Sequence, residues 1–99
     1  MILVIGHLRF APLMFDAVRP HARKMLEATR KEDGCLLYVF AEDLLEPGVL
    51  RISERWESWD ALKAHGTVPH MIAWRAALKE IGVLDREVVA YEATASQAT

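Results

Sequence analysis

Between residues 51 and 71 the chain reads RISERWESWDALKAHGTVPHM, and much of its reactive inventory falls there. Glu54 and Trp56 share one run, while His65 and His70 flank a Gly-Thr-Val-Pro break. Histidine suits proton transfer near neutrality, because its unperturbed pKa lies there. A nearby carboxylate orients the imidazole and raises its basicity. Tryptophan and tyrosine rings can wall a slot for a flat apolar ligand. The candidate acid–base groups are therefore His65, His70 and Glu54, and the candidate ligand wall is Trp56, Trp74, Tyr38 and His7. Each has a plainer reading. The tryptophans are of a type that fills cores, and Glu54 also suits an ion pair with an arginine of a second copy.

These groups depend on the elements that hold them. Residues 2–10 are rich in Ile, Leu, Val and Phe and read as a strand ended by Pro12. From Asp16 to Lys31, Val18, Ala22, Met25, Leu26 and Thr29 recur at helical spacing. Asp16 is the expected N-cap, with Pro20 near the first turn. Glu32-Asp33-Gly34 stops that helix, with Gly34 suited to the left-handed position. Residues 35–41 form a second strand, 42–48 a connection turning at Pro47-Gly48, and 49–57 a third strand. Strict alternation places Leu50, Ile52, Glu54 and Trp56 on one face of that third strand. Ser58 caps a short helix that stops at Gly66. Pro69 opens another that ends at Gly82, with Met71, Trp74, Leu78 and Ile81 as its buried stripe. Residues 86–93 are the last strand, closing a single domain over 1–93, and 94–99 read as a flexible tail.

Two consecutive strands between helical segments suit a split βαβ arrangement, an α+β ferredoxin-like protomer with helices on one sheet face. The second strand has two apolar faces: Leu36, Tyr38 and Phe40 on one, and Cys35, Leu37, Val39 and Ala41 on the other. Helices can cover only one of them. The simplest cover for the second is another copy of the chain, so a homodimer through the sheet faces is expected.

Composition narrows the function classes. Of 99 residues 53% are hydrophobic, enough for one compact core. A net charge of −2 with intermixed signs gives no basic stripe for nucleic acid. The apolar N-terminus is too short to span a bilayer and lacks the features of a signal peptide. The single cysteine, Cys35, rules out an internal disulfide and reads as a small buried residue. No histidines stand at the spacings of the common zinc motifs, so no metal is expected, and the glycines form no phosphate loop. The expected setting is cytoplasmic, without membrane or nucleic-acid partners.

EDGCLLYVF, followed by ERWESWDALKAHGTVPHMIAW, resembles the antibiotic biosynthesis monooxygenase family, and its quinol monooxygenase branch in particular. The matching residues are Gly34, Cys35 and Tyr38, then Glu54, Trp56 and Ser58, then His65, Pro69 and His70. The resemblance covers nearly the whole chain. It implies a ferredoxin-like protomer pairing into a dimeric α+β barrel. It also implies oxidation of a small phenolic or quinol-type aromatic by molecular oxygen, with no cofactor. One branch of the family degrades haem, but His7, His65 and Trp74 stand where that branch carries its Asn, Trp and His, so haem degradation is not expected. Isomerisation of a small metabolite and non-catalytic ligand binding are the alternatives on the same fold. For quinol oxidation the site needs an apolar slot, a base for the phenolic proton and a means of stabilising the anion. His65 or His70 is the expected base, with Glu54 as its carboxylate partner.

Overall fold

The computed structural model describes all 99 residues. The elements run β1 (Ile2–Arg9), α1 (Phe15–Thr29), β2 (Cys35–Glu42), β3 (Val49–Trp56), α2 (Trp59–His65), α3 (Pro69–Ile81) and β4 (Asp85–Glu92). The strands form one sheet ordered β2-β3-β1-β4, antiparallel at every neighbouring pair. β1 and β2 thus run parallel with β3 between them, as the split βαβ reading requires. The fold is α+β and ferredoxin-like. No helix is long and apolar enough to cross a membrane.

The helices lie on one face of the sheet. Ile2, Val4 and Leu8 from β1, and Leu50, Ile52 and Trp56 from β3, point into a core completed by Val18, Met25, Trp74 and Leu78 from the helices. Alternation in β3 holds throughout: Arg51, Ser53 and Arg55 are exposed, and Glu54 is buried with the apolar set.

Two local expectations are corrected. In β2, Cys35 pairs with Trp56 and Leu37 with Arg55, so Leu36 is an extra, bulged residue. The bulge reverses the parity of strict alternation. Cys35 joins Tyr38 on the core side, packed against the core cluster, while Leu36 is half exposed. The second correction concerns α1. A 3-10 turn, Pro12–Met14, leads straight into Phe15, so Asp16 lies inside the first turn rather than capping it, and it pairs with Arg19. Pro20 consequently sits inside the helix, where it leaves the Asp16 carbonyl without its usual donor.

The opposite sheet face is partly apolar and uncovered within one chain. Ile5 faces Val89 and Leu3 faces Tyr91 across β1 and β4. Ile5 is 55%, Val89 39% and Tyr91 53% exposed. Residues 94–99 follow β4 without regular secondary structure.

Candidate active site

The acid–base cluster is assembled by three short segments. The Ser58 side chain accepts a hydrogen bond from the Ala61 backbone N–H at 3.1 Å, starting α2 so that His65 falls on its last residue. Val68 is extended and Pro69 takes the first helical position of α3, placing His70 in the first turn. Arg75 of α3 donates to the Gly66 carbonyl at 2.9 Å and fastens the break between the two histidines. The third segment is the turn after α1. Gly34 adopts φ +81, and its Cα lies so close to α2 that an added Cβ would stand 2.6 Å from the Ala61 Cβ. Only glycine lets this turn lie against α2, and the turn carries Glu32.

Glu32 is the group that the histidines share. His65 Nδ1 and His70 Nε2 each lie 2.8 Å from the same oxygen, Glu32 Oε2. An ionised carboxylate only accepts, so both facing nitrogens carry their protons. His65 is 3% exposed, and its other nitrogen, Nε2, is buried with no hydrogen-bond partner. That nitrogen is therefore a bare lone pair inside the protein. Burial pushes the His65 pKa below its usual value; the Glu32 bond and charge oppose this, while the charges of His70 and Arg75 reinforce it. At neutral pH the ring is uncharged and able to accept a proton.

The aromatic side chains surround His65 rather than forming an open slot. The Trp56 ring lies 4.7 Å and the Tyr38 ring 5.4 Å from the His65 ring, centre to centre. Tyr38 packs on Phe40 at 5.1 Å, and Phe40 stacks on Trp74 at 5.5 Å. Three of the four expected wall residues, Trp56, Tyr38 and Trp74, are buried, Trp56 completely. Burial raises the Tyr38 pKa, helped by the charges of Glu54 and Glu32, so the phenol stays protonated. Burial likewise raises the Cys35 thiol, which is partly rather than fully buried, packed against the core cluster. An open cavity of about 410 Å³ lies between α1 and the β2–β3 sheet, against Phe15, Leu26, Phe40 and Leu50. Arg19, Arg23 and Arg30 also line it. Phe40 lines this cavity and packs on Tyr38, which in turn packs on His65.

Two expected site residues are placed elsewhere. Glu54 does not pair with a histidine. Its Oε1 accepts the Trp56 indole N–H at 2.8 Å, because residues two apart on a strand share a face. Burial raises its pKa to about 7, the Trp56 bond opposing and the Glu32 charge adding to the shift. His7 lies on the other sheet face, with Nε2 3.0 Å from Asp85. It is not brought to the His65 cluster. Glu32 and Phe40 are the residues that the sequence reading passed over. Glu32 read as helix stop punctuation, and the only hint of its role was the glycine two positions later.

A family profile described as "Antibiotic biosynthesis monooxygenase" matches residues 1–77. The chain is 34% identical over 80 residues to "Putative monooxygenase Rv0793" of Mycobacterium tuberculosis, covering 81% of this chain and 78% of that protein. The solved structure of Rv0793 superposes with a TM-score of 0.86 at 29% identity, over 98% of each chain. A crystal structure of a "putative antibiotic biosynthesis monooxygenase" from Deinococcus radiodurans superposes with a TM-score of 0.93 at 34% identity, over 100% of this chain and 98% of that one. With the family profile matched over residues 1–77 and a relative 34% identical over 81% of its length, the chain belongs to the antibiotic biosynthesis monooxygenase family.

Proposed function

We propose that this monooxygenase oxidises a small aromatic quinol or phenol with molecular oxygen, and that His65 Nε2 removes the phenolic proton. One observation carries the reading: His65 is held by Glu32 through Nδ1 and leaves Nε2 buried, unprotonated and without a partner. Once Nε2 takes a proton, the imidazolium keeps its Nδ1–H on the Glu32 carboxylate, which stabilises the charge. The substrate anion then transfers an electron to oxygen, and the two radicals combine in a carbon–oxygen bond. The ring-bound peroxide takes the proton back from His65. The C–H proton at the oxygenated carbon is then lost as the O–O bond breaks, so one oxygen atom stays on the ring and the other leaves as water carrying both hydrogens. All the electrons come from the substrate, so the reaction calls for no cofactor.

His70 binds the same Glu32 oxygen and fixes the carboxylate. Trp56 and Tyr38 hold His65 in an apolar setting, and the cavity at Phe40 has the size of a small-ligand site. Oxidation in labelled dioxygen tests the reaction class. A product that has gained one labelled oxygen and lost two hydrogens is expected; a product of unchanged mass would mean isomerisation, and no product with retained binding would mean a binding module.

The uncovered row of Ile5, Val89 and Tyr91 supports a homodimer through this sheet face. The single free cysteine, Cys35, fits a reducing, cytoplasmic setting.

A further inference from the structure

We propose that Glu32, His65 and His70 also bind one first-row divalent transition cation of the zinc, cobalt or nickel kind. Glu32 Oε2, His65 Nδ1 and His70 Nε2 lie within 4.8 Å of one another. Tetrahedral coordination with bonds of about 2.0–2.1 Å sets ligand atoms about 3.3 Å apart. To reach that spacing the two His–Glu distances of 2.8 Å must open by about 0.5 Å, and the His–His separation, at most 4.8 Å, must close by up to about 1.5 Å. The ligands come from segments already fastened by Gly34, the Ser58 cap and the Arg75 bond, so the cation does not have to order a loop.

Two imidazoles and one carboxylate favour borderline transition ions over magnesium or calcium, which prefer oxygen sets. Three protein ligands also leave a coordination position open. His70 is the way in, because its side chain is 24% exposed while that of His65 is 3% exposed. Binding replaces two N–H···O links with two nitrogen–metal bonds. Each imidazole keeps one proton by moving it to its other ring nitrogen, so nothing is oxidised or reduced. For His65 that proton lands on Nε2, which has no partner. Lacking that support, the site binds about 10–100-fold more weakly than one whose ligand histidines are both anchored.

If His65 is the base proposed above, a bound cation takes it out of proton transfer, and zinc inhibits the oxidation. The cation site itself does not depend on that reading. The test is titration of the chelator-treated full chain with cobalt(II), followed by visible absorption, with zinc competition and metal analysis after dialysis. One cobalt per chain, displaced by zinc, is expected. Binding weakened by about tenfold or more in both Glu32→Gln and His70→Ala, with unchanged circular dichroism, supports the site. No binding, or binding unaltered in both variants, overturns it. If Glu32→Gln unfolds, His70→Ala, at a partly exposed position, decides alone. Oxygen uptake that persists with the site filled overturns the base assignment and leaves the cation site standing. Active uptake in a chain that takes up no cation does the reverse.

Discussion

Glu32 and His65 stand 33 positions apart in the chain and 2.8 Å apart in the fold. This contact joins the turn after α1 to the end of α2, and it decides which imidazole nitrogen is free. Glu32→Gln can present an amide N–H to His65 and favour the tautomer with its proton on Nε2. Turnover is expected to fall by about 10²–10⁴-fold, with KM much less affected. Steady-state kinetics on a quinol substrate would show it, and an unchanged kcat would remove Glu32 from the site.

Glu54 makes stability depend on pH. Its carboxyl titrates at about 7 in the folded chain against an ordinary value of 4.5, because burial disfavours the charge. Below the lower value both states are protonated and no penalty exists. Between the two, the unfolded chain releases a proton that the folded chain retains, so stability falls as pH rises. The loss is complete above the folded value and amounts to roughly 3 kcal/mol. Glu54→Gln, which still accepts the Trp56 N–H, should match wild type in urea unfolding at about pH 4 and exceed it at about pH 8.

Gly34 holds Glu32 against α2 and tolerates no side chain. Gly34→Ala combines an unfavourable φ of +81 with a Cβ 2.6 Å from that of Ala61. A loss of about 2–4 kcal/mol is expected in denaturant unfolding. Adding Ala61→Gly relieves the clash but not the backbone strain, so the double variant should recover only part of the loss.

The sheet face makes its own prediction. Ile5 is 55% exposed opposite Val89, at the middle of the apolar row. Ile5→Lys should convert a dimer into a monomer in sedimentation velocity. A monomeric wild type would contradict the proposed pairing.

Much of this architecture was legible in the residues. The alternation of Leu50, Ile52, Glu54 and Trp56 gave the buried face of β3, and Pro69 and Gly82 bracketed α3. The parity of β2 was not legible, because the bulge at Leu36 depends on pairing with β3 and leaves no mark in a run of apolar residues. The site was read in part. His65 and His70 converge as their placement around the break suggested, but their carboxylate is Glu32 and not Glu54. A pairing between segments this distant is decided by how the turn at Gly34 packs on α2, which no local pattern encodes. The tryptophans could not be assigned either, since core and ligand-wall rings share one composition and periodicity.

The most direct measurement is oxygen consumption by the chelator-treated protein with a panel of quinols, wild type beside His65→Gln, with spontaneous oxidation subtracted. Uptake without added metal in wild type, reduced by about 10²-fold or more in a folded His65→Gln, is the expected result. Equal uptake by the two proteins would contradict His65 Nε2 as the base.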